Sequence, residues 1–336
     1  MSIRPTAYEF FAGGGLAGLG LSGAGLSGQR WAGVDTVFAN DMDPAKGRAF
    51  VANHPDIRFH LGDVWSLRPA DLPGAPDLAW ASSPCQDVSL AGARGGLEAG
   101  RSGAFWGFWR LIQGLAVEGR APRVIVLENV IGLLTSGPKD ETGRDFSAVC
   151  AAMVQAGYRV GALEMDAAHW LPQSRPPPRR NLDLAALLEP DESVEWLDDG
   201  AEILALAAPL HRARIEAAVA SGRRVVGAAY RRVRTEDGRK VQRLEIRFDG
   251  LAGCLRTPAG GSSRQYVVVC DGGRTRVRRL TGREAARLMG VSDDYRLPDS
   301  ESAALKLMGD AVAVPVVRAL TEGLLLPALS SRRTAA

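Results

Sequence analysis

The chain has little of what staples or metallates a fold. Its 336 residues include four cysteines, Cys85, Cys150, Cys254 and Cys270, and four histidines, His54, His60, His169 and His211. No C-x-x-C pair and no framework spacing occurs among the cysteines, so a disulfide scaffold is not indicated and a reduced, cytoplasmic setting is expected. The histidines show no H-E-x-x-H or related spacing, so no metal site is expected. No unbroken apolar run reaches about 18 residues, the length of a membrane span. The opening residues, MSIRPTAYEFFAGG, lack the apolar centre of a secretory signal. Net charge is only +3, too small to name a partner.

What is present is ordinary globular material. With 46% hydrophobic and 24% charged residues, the chain can build one large core and a smaller second one. Charge is unevenly placed. Residues 189–202, EPDESVEWLDDGAE, are strongly acidic, whereas residues 211–247 hold eleven Lys/Arg against four Asp/Glu. A basic block of this kind suits a surface that follows phosphates, and equally a solvated helix and hairpin.

The first half alternates strand and helix. AYEFF (7–11), VDTVFA (34–39), DLAWA (77–81) and VIVLE (124–128) read as buried strands. A helix is expected over 16–28, another over 43–53, a third over 105–118 and a fourth over 145–156, with a further strand at 159–166, RVGALEMD. This alternation predicts an α/β, doubly wound, Rossmann-like sheet. QSRPPPRR (173–180) is a proline-rich break. Beyond it come two apolar strands, Leu244–Phe248 and Tyr266–Cys270, and a helix at TGREAARLMG, where Thr281 and Glu284 have capping-box spacing. An apolar helix over 311–326 closes the pattern.

Three features carry chemistry. Gly13, Gly15 and Gly18 form G-x-G-x-x-G between a strand and a helix, the turn that lets a backbone approach a nucleotide. Asp41 ends the second strand, where a carboxylate can take ribose hydroxyls, and Asp63 follows a third strand, within reach of an adenine amine. NAD and S-adenosylmethionine (AdoMet) both carry adenosine, so these residues do not separate them. Ser83-Pro84-Cys85-Gln86 follows the strand DLAWA, placing a thiol at the carboxyl edge of the sheet, the position of a nucleophile. Leu127-Glu128-Asn129-Val130 ends the next strand on the same edge, which sets a carboxyl beside that thiol.

With these residues in hand, the chain resembles the DNA cytosine-5 methyltransferases. FAGGGLAGLGL is similar to their AdoMet-binding motif, SSPCQDVSLAGARGGLEAGRSGAF to the catalytic cysteine motif with its mobile loop, and LENV to the ENV motif. LPQSR resembles the start of Q-x-R-x-R, and RRLTGREAARLMGVSDDY and GDAVAVPVV resemble the last two motifs, all in family order. The resemblance implies an AdoMet-dependent methyltransferase sheet in residues 1–180, with the helix 305–330 packing back on it, and a smaller target recognition domain in residues 190–280. It implies that Cys85 adds to C6 of a cytosine and that Glu128 holds or donates a proton at ring N3. Arg175 would orient that carboxyl and the base, with Pro84, Gln86 and Asn129 shaping the pocket. Phe11 would stack on adenine, Asp41 bind the ribose and Asp63 the adenine amine, with Gly13, Gly15, Gly18, Asp310 and Val312 completing the cofactor set. Ser89 and Arg101 of the mobile loop, and Arg231, Arg232, Arg234 and Arg243 of the basic block, are implied to contact double-stranded DNA. The target base lies inside a duplex, so an enzyme of this class flips it out. A monomer is expected, with a separately encoded restriction endonuclease as candidate partner.

The chain departs from the family pattern in three places. Pro177 occupies the second arginine position of Q-x-R-x-R, and no apolar strand follows Arg175. Asp310 stands where the last motif usually has Asn, and Glu9 where Asp is common. The first departure keeps open a relative that binds AdoMet or DNA without turnover. A tRNA cytosine-5 methyltransferase ranks below both, because the Cys-Phe-Thr string of those relatives is missing. An NAD oxidoreductase ranks last, because nothing assembles a hydride-transfer site.

Overall fold

A computed structural model describes residues 4–23, 32–84, 103–137, 141–167, 182–257 and 264–330. The chain divides into two compact units. One runs to Asp166 and resumes at Val316; the other runs from Ala167 to Pro315.

The first unit is built on five parallel strands: β1 (Thr6–Phe10), β2 (Asp35–Asp41), β3 (Arg58–Leu61), β4 (Leu78–Ser82) and β5 (Val124–Glu128), in the spatial order β3-β2-β1-β4-β5. All four pairings are parallel. Chain order reverses at β1, so the connections leaving β1 and β4 diverge and open a crevice at the carboxyl edge. Alternation along the strands divides the core. Tyr8, Phe10, Phe38, Ala79 and Ala81 face the helices α3 (Ala104–Val117) and α4 (Arg144–Gln155). Helix α3 buries Phe105, Phe108, Trp109, Leu111, Ile112 and Leu115, the one-sided stripe that its 3.6-residue repeat provides. The other face carries Ala39, which packs with Phe50 of α2 (Pro44–Asn53). Asp43 caps α2, accepting from Ala45 N at 2.8 Å, with Pro44 at the first helical position. The short helix α1 (Leu16–Leu21) begins at Gly15.

Residues 159–166 are not a strand: they run without regular structure after α4. The expectation rested on an apolar alternation alone. Among the described residues β5 pairs only with β4. A strand needs a neighbour to take up its N–H and C=O groups, and among the described residues no strand pairs with 159–166.

The second unit holds four antiparallel strands, β6 (Val225–Glu236), β7 (Arg239–Arg247), β8 (Gln265–Asp271) and β9 (Arg274–Arg279), in the order β7-β6-β8-β9. Two of them, β6 and β9, went unread in the sequence because arginines interrupt their apolar alternation. Their turns were legible: Asp237-Gly238 (φ 49° and 76°) joins β6 to β7, and Gly272-Gly273 (φ 54° and 76°) joins β8 to β9. Helices α5 (Leu184–Leu187), α6 (Gly200–Ala205) and α7 (Pro209–Ala220) precede this sheet, and α8 (Gly282–Leu288) and α9 (Glu301–Gly309) follow it. α6 and α7 cover the sheet through Ile203 and Ala218. Within the acidic segment, Asp191 pairs with Arg224 at 2.8 Å and Arg276 at 2.6 Å, and Arg276 lies 3.9 Å over the Trp196 ring. The last helices, α10 (Val314–Leu320) and α11 (Leu326–Ser330), are joined by one π-helical turn. The stretch 301–330 is apolar and long enough to span a membrane, but it is broken after Gly309 and buries Leu307, Met308, Val317 and Leu329 within the protein.

The capping box at α8 is formed as expected, and Glu284 does more than cap. It is fully buried and grips Arg278, also fully buried, through two bonds of 2.6 and 2.8 Å. It also accepts from Thr281 N and Glu189 N. Glu284→Ala is expected to lower stability by about 3–5 kcal/mol, because it strands a buried guanidinium. Urea unfolding measures this, and removing both charges in Arg278→Met/Glu284→Leu should recover much of the loss.

Candidate functional site at the carboxyl edge of the parallel sheet

The parallel registers bring four strand ends to one edge. Phe10 is paired with Asn40 on one side and Ala81 on the other, and Ser82 with Glu128. Phe11, Asp41, Pro84, Glu128 and Asn129 therefore all sit where the strands stop.

The glycine turn leaves β1 sharply. Phe11 takes a left-handed conformation (φ 57°), uncommon for a bulky residue and a kind of strain found where a ligand is held. Gly13 follows at φ 56° and faces open space. Gly15, at φ 80°, starts α1, and a side chain there would meet His54 Nε2 at 2.4 Å. Gly18 lets α1 lie against β1, since a Cβ would sit 2.6 Å from Glu9 Oε2. Asp41, at the end of β2, ties this turn to α2. It accepts from Gly13 N and Asp43 N, each at 2.8 Å. Asn40, fully buried beside it, donates to the carbonyls of His60 (3.0 Å) and Gly62 (2.8 Å) and so fixes the end of β3. Asp63 is exposed there and accepts from Trp65 N at 2.9 Å.

Two groups at the turn had no site role in the sequence reading, which noted Glu9 only as standing where Asp is common. Glu9 is 1% exposed, and the amides of Ala17 and Gly18 lie near its carboxyl without reaching hydrogen-bond geometry. Burial pushes its pKa up to about 8. His54 packs tilted against Phe50, ring centres 4.7 Å apart, and burial lowers its pKa. The alternation of β1, with Tyr8 and Phe10 facing α3, would have located Glu9; His54 had no comparable signal.

At the other end of the crevice, Glu128 is paired with Ser82 and hydrogen-bonded to its side chain. Burial raises the Glu128 pKa above the ordinary carboxylate range, and the Ser82 hydroxyl opposes this more weakly. Asn129 donates to the Ser83 carbonyl at 3.2 Å and bonds the Ser83 hydroxyl at 3.1 Å. That clamp holds the segment that leads into Pro84. Cys85, Gln86, Ser89, Arg101 and Arg175 lie outside the described residues.

In the second unit the candidate arginines separate by face. Arg232, Arg234 and Arg243 share one face of the β6–β7 pair with Glu236 and Glu245. Arg232 (3.3 Å) and Arg234 both bind Glu245, and Arg243 binds Glu236. Arg231 faces the other way, in register with buried Leu244, its guanidinium 5.7 Å from the Tyr266 ring centre. Among the described residues, β8 accompanies β6 as far as Tyr230, and residues 231–236 pair with β7 alone. A cleft of about 280 Å³ opens where β8 stops, lined by Tyr230, Arg231, Arg232, Arg234, Arg256 and Gln265, among others. Asp310 caps α9 and is bonded to the Thr257 hydroxyl, and Val312 follows in the same unit.

The chain is similar to known methyltransferases. A sequence profile of the C-5 cytosine-specific DNA methylases matches residues 6–176 and 218–325. The Type II methyltransferase M.NgoBI of Neisseria gonorrhoeae is 28% identical over 324 residues, covering 90% of each chain. M.NlaX of Neisseria lactamica is 27% identical over 91% of this chain and 94% of its own. Among solved structures, S. pombe Dnmt2 aligns over 96% of this chain and 99% of its own, with TM-score 0.59 and 16% identity. The Entamoeba histolytica methyltransferase EhMeth aligns over 98% of both, with TM-score 0.60 and 12% identity. These structures share the fold: a parallel α/β methyltransferase sheet.

The buried Glu9 carboxyl makes stability depend on pH. Its folded pKa of about 8 lies above the ordinary 4.5. Its contribution is therefore fully present below about pH 4.5 and is lost as pH rises toward 8. Glu9→Gln should match wild type near pH 4.5 and exceed it increasingly up to pH 8, by a few kcal/mol. Urea unfolding across that range checks the sign.

Proposed function

Because the chain belongs to the C-5 cytosine-specific DNA methylase family, we propose that it methylates C5 of a cytosine in a short double-stranded DNA sequence, with AdoMet as donor. The observation that carries this reading is Glu128: a desolvated carboxyl at a strand end, beside the clamped segment that leads into Pro84 and Cys85.

The residues of the turn fit AdoMet. Gly13 leaves open space above a backbone already braced by Asp41, and Asp41 and Asp63 end adjacent strands as acceptors. Phe11, Gly13, Gly15, Gly18, Asp41 and Asp63 would hold it, with Asp310 and Val312 from the last motif. When bound, AdoMet supplies an electrophilic methyl on a sulfonium. The chain's own residues prepare the acceptor. The Cys85 thiolate adds to C6 of a flipped cytosine, which breaks the ring's aromaticity and moves electron density toward C5. Protonated Glu128 donates at N3, so the charge building on the ring is neutralised. Arg175 orients this carboxyl, and Pro84, Gln86 and Asn129 shape the pocket. Loss of the C5 proton lets the Cys85 thiolate leave and restores the ring.

DNA would be held by Ser89 and Arg101 and by the β6–β7 ribbon. A two-stranded ribbon is of a size to enter the major groove. Arg232, Arg234 and Arg243 on one face and Arg231 on the other are the candidate phosphate and guanine contacts. The run 159–166, without regular structure where a strand was expected, favours one second reading, a relative that binds AdoMet or DNA without turnover.

Transfer of labelled methyl from AdoMet to DNA tests the proposal. Cys85→Ala should abolish transfer yet keep stabilisation by AdoMet, about 2.7 kcal/mol at a hundredfold excess over Kd. An active Cys85→Ala would contradict the covalent route, and wild-type stabilisation without transfer would favour the second reading. Arg234→Ala should weaken DNA binding and, if it neutralises one phosphate, reduce the salt slope of log K by about 0.9.

A further inference from the structure

We propose that Ser82, oriented by the indole of Trp80, is a positioning residue that holds and tunes the Glu128 carboxyl at the base. The inference rests on the methyl-transfer reading and adds a group to its acid. Trp80 and Ser82 are two residues apart on β4, so their side chains share the sheet face opposite Ala79 and Ala81. Ser82 is in register with Glu128 on β5, and Trp80 with Val126. The Trp80 ring is 1% exposed, and its Nε1 donates to Ser82 Oγ at 2.9 Å. An indole N–H is a donor only, so Ser82 Oγ must accept there. Its own proton is then free for the remaining partner, the Glu128 carboxyl.

Held in register beside Glu128, the Ser82 hydroxyl favours the ionised form of its carboxyl against the effect of burial. The next residues repeat the pattern: Asn129 bonds the Ser83 hydroxyl and carbonyl, so two successive rungs join the ends of β4 and β5. The rungs limit rotation of both side chains at the strand ends. Among the described residues no charged side chain acts on Glu128; burial and Ser82 are its two influences.

Ser82→Ala removes the hydroxyl at little cost in volume, and Ser82→Thr keeps it. Two measurements on the full chain separate the outcomes. The first is the pH profile of kcat for methyl transfer to DNA. With Ser82→Ala, kcat should fall several-fold near neutrality, KM for AdoMet and DNA should stay within about twofold, and the alkaline limb should move up by about one pH unit, the effect of losing a donor to a carboxylate. Ser82→Thr should restore the wild-type profile. The second needs no turnover: the infrared band of the protonated Glu128 carboxyl, isolated by subtracting the Glu128→Gln spectrum and followed against pH. Its midpoint should rise by a similar amount in Ser82→Ala. A wild-type chain that transfers no methyl counts against the methyl-transfer reading, and the infrared midpoint then decides the role of Ser82 alone. An unchanged midpoint, or superimposable profiles in an active enzyme, overturns the proposal.

Discussion

The functional edge depends on the parallel ladders that hold β2, β1, β4 and β5 in register. A slip of one residue would turn every side chain to the opposite face. Glu9 and Glu128 would then point into the α3 core, and Phe10 and Phe38 would leave it. The register sets Ser82 beside Glu128 and Phe10 beside both Asn40 and Ala81, so residues distant in sequence meet at one crevice. The large apolar side chains between the sheet and α3 hold that alignment.

The chain treats its buried charges in three ways. Asp41 has backbone amides on both oxygens, which suits a carboxylate that stays ionised and structures a turn. Glu284 has a buried guanidinium, two amides and a cap to hold, so breaking that group is costly while the group itself specifies one arrangement. Among the described residues, Glu9 and Glu128 have neither a cation nor a full set of donors, and burial pushes both toward the protonated form. Burial that raises the Glu128 pKa favours its protonated form, which an acid at a base nitrogen requires. Glu128 stands at the crevice, whereas Glu9 lies beneath the glycine turn, packed against Gly18.

Much of this was legible from local rules. Val124–Glu128 has the expected bounds, because a β-branched run ending in a polar residue leaves little choice. The capping box at Thr281 and Glu284 and the glycine turn at Gly13, Gly15 and Gly18 fell where spacing put them. Long-range pairing was harder to read. Residues 159–166 have a strand's alternation but pair with no strand among the described residues, while β6 and β9 have partners but arginines that mask their alternation. The arginine block was visible as charge. Only the register with Leu244 shows that Arg231 lies on the opposite face from Arg232 and Arg234. Ser82 was overlooked beside Pro84 and Cys85, although counting back from the two strand ends places it opposite Glu128.

The central claim is cytosine-5 methylation of DNA at one short sequence. Bisulfite sequencing of the genome of a host without its own cytosine methylation, after expression of this chain, tests it most directly. The account predicts protected cytosines confined to one short context, lost when Cys85 is replaced. A uniformly converted genome, with the chain folded and AdoMet bound, would contradict it.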